Sequence, residues 1–415
     1  MSYRDKIEIM SPAGSYESLM AAIQGGAGAV YFGAGKLNMR SRSSANFSLD
    51  DISKITDICR QNGVKSYLTL NTIVYDNELE EIKSIIETAK QNGISAIIAS
   101  DISVIKYARQ IGVEIHISTQ CNITNIEAVR FYSQFADVMV LARELSIKQV
   151  KEITTQIKEQ DIRGPKGELV QIEVFVHGAL CMAVSGKCYL SLHNHNLSAN
   201  RGACLQDCRR AYRVYDKDSE VELEIDNEYI MSPKDLKTIQ ILDKILDAGV
   251  TVLKIEGRGR SPEYVKTVTQ CYNRAVEAYF NNNFNEELVE ELNKKLSSVY
   301  NRGFWEGYYM GAKLGEWTER HGSSATHKKV YVGKVINFYN KIMVAQIKVD
   351  TYDVSVNDDL IVIGPTTGVY ELHVEKMLNS DDIEADKINK GETFTISTSE
   401  ILRRNDEVYK IVVNQ

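Results

Sequence analysis

The sequence predicts an α/β fold: a (β/α)8 TIM-like barrel with a cysteine-rich insertion after its seventh strand and a small C-terminal β-barrel domain. Three observations carry this. Strand-length apolar runs alternate with amphipathic helical stretches from the N-terminus onward. Helix-ending glycines recur just before the strands, as in Gly25-Gly26-Ala27-Gly28, Asn62-Gly63-Val64, Asn92-Gly93-Ile94, Ile111-Gly112-Val113 and Ala248-Gly249-Val250. The last ninety or so residues turn into short strands broken by Asn, Asp and Gly.

In order, strands are expected at 7–11, 29–33, 64–71, 95–99, 113–118, 137–141, 169–177 and 250–256. Helices are expected at 15–25, 50–62, 78–91, 102–110, 125–134, 146–159, 238–248 and 262–281. Eight such units in one run suit a closed barrel better than an open doubly wound sheet. Strands at 331–336, 342–349, 360–363, 368–374 and 392–398 make the terminal β domain. The chain therefore divides into a barrel over 1–284, with its insertion at about 178–235, a helical bridge over 285–325, and the β domain over 326–415. The bridge carries Asn301-Arg302-Gly303-Phe304-Trp305-Glu306-Gly307-Tyr308-Tyr309.

Composition narrows the function. The net charge of −7 means that any nucleic acid must be met by a local basic patch, not by the whole surface. The longest apolar runs, such as 138–142, are too short to span a membrane. The first six residues show no signal-peptide core, so a cytoplasmic location is expected. Seven cysteines without a secretion signal argue for metal or catalytic use over a disulfide framework.

Strands of a parallel barrel are usually apolar on both faces. Here one parity is repeatedly polar: Glu8 in strand one, Thr69 and Asn71 in strand three, His116 and Ser118 in strand five, Glu173 and His177 in strand seven, Lys254 and Glu256 in strand eight. Alternate residues share a face. The polar set is therefore expected inside the barrel, facing the C-terminal mouth where such barrels do their chemistry. His177, Lys254 and Glu256 are the candidate catalytic residues, and His116 and Asn71 candidate substrate contacts. Lys36, Arg143, Arg210 and Arg213 add positive charge in the following loops. Arg40, Arg42, Arg209, Arg258 and Arg260 are the candidate ligands of an anionic substrate, because guanidinium forks match carboxylate and phosphate. Gly33-Ala34-Gly35 lacks the third glycine of a dinucleotide-binding turn and is set aside.

Four of the cysteines fall in the insertion: Cys181, Cys188, Cys204 and Cys208, spaced C-x6-C-x15-C-x3-C. Four clustered thiols suit an iron–sulfur cluster or a structural zinc. The spacing matches neither zinc knuckles nor a ferredoxin run. Cys59, Cys121 and Cys271 lie in or beside regular elements.

The stretch from Glu173-Val174-Phe175-Val176-His177-Gly178-Ala179-Leu180-Cys181 to Cys188 closely resembles the signature of the U32 peptidase, or collagenase-like, family. Similarity continues through Asn200-Arg201-Gly202-Ala203-Cys204-Leu205-Gln206-Asp207-Cys208-Arg209, and through Ser11-Pro12-Ala13-Gly14, Gly28-Ala29-Val30-Tyr31-Phe32-Gly33 and Arg143-Glu144-Leu145. Residues 229–236 and 254–260 fit it as well. The resemblance implies oxygen-independent hydroxylation. Branches of the family act in ubiquinone synthesis, on ribosomal RNA, and on tRNA, where prephenate is used to form 5-hydroxyuridine at the wobble position. Overall length and the terminal β domain, which resembles the β-barrels of translation factors, fit the tRNA branch. The resemblance further implies a 4Fe–4S cluster on Cys181, Cys188, Cys204 and Cys208, prephenate as co-substrate, tRNA or another RNA as partner, and a paralogous U32 subunit as a further partner. Two alternatives stay open: a peptidase using a His177–Cys181 pair, and a non-catalytic iron–sulfur scaffold for a partner enzyme.

Overall fold

In the computed structural model the described residues are 3–41, 46–213 and 228–414. Alternation of strand and helix runs as β1 (Glu8–Ala13), α1 (Tyr16–Gln24), β2 (Ala29–Phe32), α2 (Asp51–Gln61), β3 (Lys65–Leu70), α3 (Leu79–Gln91), β4 (Ala96–Ala99), α4 (Ile102–Gln110), β5 (Ile115–Ile117), α5 (Ile126–Tyr132), β6 (Val138–Val140), α6 (Ile147–Glu159) and β7 (Gln171–Gly178). The insertion holds α7 (Leu190–His195) and ends in a short strand, β8 (Asp235–Lys237). Then come α8 (Leu242–Asp247), β9 (Val252–Ile255), α9 (Pro262–Phe280) and α10 (Glu286–Ser298).

Strands β1 to β7 pair in chain order, all parallel, and β9 joins β1 on one side and β7 on the other. The sheet thus closes into an eight-stranded barrel, as expected from the sequence. Side-chain hydrogen bonds start the helices: Ser15 on α1, Asp101 on α4, Asn125 on α5 and Ser146 on α6 each accept from a first-turn backbone N–H. At the other ends, Gly63, Gly93, Gly112 and Gly249 take φ between +68° and +82°, the left-handed stop that glycine adopts without strain. One expected helix is shorter than its pattern. The 238–248 stretch begins with a tight turn, Ile239–Ile241, because Thr238 gives its hydroxyl to the Val176 carbonyl and its N–H to Tyr272.

Inside the barrel, Met10, Ala29, Tyr31, Tyr67, Ala96, Ile98, Val138 and Val252 form a small apolar layer of their own. The buried polar residues Glu173, His116 and Lys254 share that interior.

A six-stranded antiparallel sheet forms the C-terminal domain. It follows the two-residue strand β10 (Phe304–Trp305), which pairs with β8. Its long strand is β11 (His327–Tyr339), followed by β12 (Val344–Val349), the small β13 (Val354–Ser355), β14 (Asp359–Gly364), β15 (Gly368–His373), β16 (Lys387–Ile388), β17 (Thr393–Ser397) and β18 (Glu407–Val413). β18 has no counterpart in the sequence reading, yet it lies between β14 and β11 and completes the sheet. One face covers a separate core around Val332, Ile347, Val362 and Phe394. The other sends Ile361, Ile363 and Val369 into the barrel's own core. Gln24 at the end of α1 fixes that contact, donating to the Thr367 carbonyl at 2.8 Å and accepting from the Val369 N–H at 2.9 Å. No described helix is long and apolar enough to cross a membrane.

Candidate functional site

The C-terminal ends of the strands surround a cavity of about 250 Å³. Lys254 and the residues just beyond β9, Glu256, Arg258 and Arg260, line it together with Arg40, Asn71, Arg143, Arg209 and Arg302. All four insertion cysteines line the same cavity.

The end of β9 organises the mouth. Glu256 is gripped by Arg40 at 2.6 Å and accepts from the Tyr31 hydroxyl at 3.1 Å. Burial would raise this carboxyl, but Arg40 and Arg258 outweigh burial and hold it at about 2. Two residues on, Arg258 is only 6% exposed. Its Nη1 donates to Asn38 Oδ1 at 2.9 Å and Thr69 Oγ1 at 3.0 Å, both neutral partners. Burial lowers Arg258 to about 10, so it keeps its charge at neutral pH. Gly14, from the Ser-Pro-Ala-Gly turn, makes room for this: a Cβ there would stand 2.0 Å from the Arg258 carbonyl oxygen. Lys254 reaches in from β9, with Nζ 2.6 Å from Glu173 Oε1 and 4.8 Å from the Tyr31 ring centre. Asn71 accepts from the Met39 N–H and donates to Ser118. Arg260 pairs with Asp235 at 3.2 Å and stacks on Tyr300 at 3.9 Å.

Arg209 does a different task from the one expected. Its guanidinium donates to the carbonyls of Leu180 at 2.5 Å and Pro233 at 2.6 Å, and to Ser232 at 3.1 Å. It clasps the two ends of the insertion together, because β7 and β8 leave carbonyls there with no ladder partner. It borders the cavity, but its fork is engaged by main chain. Arg42 lies outside the described residues.

Two expected site residues are corrected. His177 does not face the mouth. The register between β7 and β9 slips between Phe175 and His177, so that Phe175 stands beside Lys254 but His177 beside Ile255. The bulge switches the side chain from the lumen to the helical layer. There His177 packs among Tyr264, Tyr272 and Phe304, 1% exposed. Burial, with Lys237 and Arg260 nearby, lowers it to about 3, so it is neutral. His116 does lie inside the barrel, but below the mouth. It packs on Tyr67 and borders a separate cavity at the barrel's N-terminal end. β5 is only three residues long, which leaves Ser118, not His116, at the level of the mouth.

Two cations of the mouth were not among the candidate ligands. Arg143, at the end of β6, donates to Ser185 at 2.7 Å and lies over the Phe175 ring. Arg302 comes from the bridge and meets Asp235 at 3.4 Å. The density of Gly and aromatic residues around Arg302 was its only local signal. Among the described residues seven cationic side chains border the cavity, and three carboxylates, Glu173, Glu256 and Asp235, pair with them. Seven against three leaves a surplus of four positive charges among the described residues, a setting that suits an anion.

The cysteines stand at the rim. Arg209 and Arg143 anchor the loop that carries Cys181 and Cys188. Ser191 accepts from the Leu205 N–H to fix Cys204, and buried Asp207 pairs with His195 at 3.1 Å beside Cys208. Burial and the three neighbouring thiols push Cys208 up to about 11, against the pull of Arg209. Such crowding is relieved when bound metal shares the thiolates. Among the described residues no three Cys, His, Asp or Glu are placed to grip a single metal ion. A tetrahedral zinc needs thiolates within about 4 Å of one another. A multi-iron cluster is larger and is held by four outlying thiolates. The four thiols line one cavity and match such a cluster in number and type of donor. Cys59 and Cys271 are buried in the helical layer, and Cys121 lies beside the Ser100 carbonyl, none of them on the cavity.

The comparisons with known proteins agree with this layout. The model of peptidase family U32 matches residues 14–319. A protein of Porphyromonas gingivalis (strain ATCC BAA-308 / W83) named collagenase is 55% identical, over 97% of each chain. The tRNA hydroxylation protein P1 of Bacillus subtilis (strain 168) is 31% identical, over 92% of this chain and 89% of that one. The 23S rRNA 5-hydroxycytidine C2501 synthase of Escherichia coli (strain K12) is 36% identical, over 66% of this chain and 40% of that one. With its barrel, its four-cysteine insertion and a family match across most of its length, the chain belongs to peptidase family U32.

Proposed function

We propose that the protein is a cytoplasmic RNA-hydroxylating enzyme that uses prephenate to form 5-hydroxyuridine at the tRNA wobble position, with a 4Fe–4S cluster on Cys181, Cys188, Cys204 and Cys208. The observation that carries this reading is the surplus of positive charge in a small cavity directly beside the four thiols. Prephenate brings two carboxylates, and among the described residues Arg258 and Arg143 hydrogen-bond only to neutral partners, so their remaining N–H donors are available to a dianion. A bound cluster would supply an electron-transfer or substrate-binding iron centre at the cavity wall. Lys254 would hold or move a proton in the cavity, and Glu256 would keep Arg40 in place. The relatives that act on tRNA and rRNA supply the macromolecular substrate class.

Proteolysis is the second reading. It rests on the name of the collagenase relative and on the His195–Asp207 pair near the thiols. The simplest version fails on geometry, because His177 points away from Cys181 into the helical layer. Nucleoside mass spectrometry of tRNA and rRNA from a deletion strain separates the readings. Loss of a hydroxylated nucleoside supports the enzyme; an unchanged nucleoside profile together with gelatin cleavage by the purified holoprotein overturns it. Reconstitution with purified RNA and prephenate distinguishes an enzyme from a scaffold that needs a partner subunit.

A further inference from the structure

Below Lys254 the barrel's axis carries ionisable side chains, Glu173, His116 and Glu114, that the mouth chemistry leaves without a role. At its top, Lys254 Nζ borders the mouth cavity and lies 2.6 Å from Glu173 Oε1. Glu173 is completely buried, and its second oxygen has no hydrogen-bond partner among the described residues. That oxygen faces His116 Nδ1 at 3.6 Å. The far nitrogen of the same ring, Nε2, faces Glu114 Oε1 at 3.7 Å, and neither ring nitrogen is hydrogen-bonded. Glu114 is partly exposed and opens into a second cavity of about 970 Å³ at the barrel's N-terminal end. A continuous row thus runs from one end of the barrel to the other.

A buried carboxylate oxygen and two buried imidazole nitrogens without hydrogen bonds are costly, and such groups persist where they are used. The apolar layer around the row, including Tyr31, Ile98 and Val138, lies between the two cavities. The two gaps of 3.6 and 3.7 Å lie within one side-chain rotation of a hydrogen bond.

We propose that Glu114, His116 and Glu173 form a proton path that connects Lys254 at the mouth with solvent at the opposite end of the barrel. The inference rests on the reading of the mouth as the reaction site. When the Lys254 ammonium gives up a proton there, the His116 imidazolium passes its Nδ1 proton to the Glu173 carboxylate at Oε2, and the resulting acid, once its carboxyl group turns, hands that proton to the neutral amine. A half-turn of the now neutral imidazole brings the bare Nδ1 to Glu114, which passes it a proton taken up from water in the lower cavity. The imidazolium and both carboxylates are thereby restored, and the net transfer is one proton from solvent to Lys254. Besides Glu114, the residue just before its own strand, His116 is faced by Glu173 from β7, Glu8 from β1 and the Tyr67 ring from β3. These carboxylates favour the imidazolium, against the effect of burial.

The test has two arms. In the first, prephenate and unmodified tRNA are turned over by purified wild-type holoenzyme and by His116→Gln and His116→Ala. Both variants are expected to lose at least tenfold in kcat with KM for tRNA unchanged. Added imidazole, which the lower cavity can admit, should restore His116→Ala several-fold, and the basic limb of the pH profile should shift. Full activity in His116→Gln, or loss without imidazole rescue and without a changed pH profile, overturns the path. The second arm needs no turnover: 15N-imidazole resonances of His116 are titrated in wild type and in Lys254→Met. Removing the lysine charge should leave Glu173 to hold the imidazolium, raising the His116 midpoint by a pH unit or more. An unmoved midpoint breaks the row at Glu173. A wild type that forms no product while the midpoint still moves counts against the proposed reaction and leaves the path standing.

Discussion

Arg258→Lys is the sharpest test of the mouth. A guanidinium has five N–H donors. In the folded protein the two on Nη1 serve Asn38 and Thr69, which leaves three for a substrate carboxylate. Lysine has three donors. If two of them keep Asn38 and Thr69 satisfied, one remains, and the two-pronged grip on a carboxylate is lost. One charge-assisted hydrogen bond is worth roughly 1.5–3 kcal/mol. The expected fall in kcat/KM for prephenate is therefore about 10- to 150-fold, read in reconstituted turnover with purified tRNA. Thermal unfolding should shift little, since charge and both internal hydrogen bonds are kept, and iron content should not change. The contrast is Arg209→Lys. Because Arg209 clasps the Leu180 and Pro233 carbonyls, its replacement should loosen the insertion and lower retained iron before it changes prephenate KM. Wild-type kcat/KM in Arg258→Lys, within threefold, would refute the assignment of Arg258 as an anion ligand.

Further outcomes follow from the same geometry. Anaerobically purified protein should contain close to four iron and four sulfide per chain. Ala at Cys181, Cys188, Cys204 or Cys208 should bleach it, whereas Ala at Cys59, Cys121 or Cys271 should not; stoichiometric zinc without iron would defeat the cluster assignment. His177→Phe should keep turnover within about threefold, because the ring sits among Tyr264, Tyr272 and Phe304. It should also blunt acid sensitivity: a histidine lowered to about 3 in the fold contributes stability above its unfolded value, and that stability is lost as pH falls from about 6.5 toward 3. A large loss of turnover in His177→Phe with normal folding would return it to the catalytic set. Glu256 has the opposite chemistry but the same sign. Held at about 2, it stabilises the fold above about 4.3, on the order of 3 kcal/mol, and this is lost as pH falls toward 2. Urea unfolding of Glu256→Gln should therefore differ from wild type at pH 6 and converge with it near pH 2.

Much of this molecule is legible in one dimension because its causes are local. Strand and helix periods, glycine stops and capping side chains act within a few residues, so the eight βα units and their order follow from the chain directly. The polar parity of the strands correctly points Lys254, Glu173 and Thr69 inward, since alternation needs only a regular strand. The four cysteines are likewise a pattern of residue type and spacing. What the chain alone leaves undecided depends on partners far away in sequence. His177 breaks parity because β7 bulges against β9, seventy-five and more residues later, and no residue in Val174-Phe175-Val176-His177 announces that slip. Arg302 reaches the mouth because β10 pairs with β8, which carries its Asp235 partner. β18 closes the terminal sheet between β14 and β11, a placement set by pairing and not by its own alternation. Above all, which arginines remain available is a tertiary matter. Arg209 and Arg258 are indistinguishable as sequence letters, but carbonyls left open at the insertion's ends consume the donors of one, while two neutral side chains leave those of the other facing the cavity.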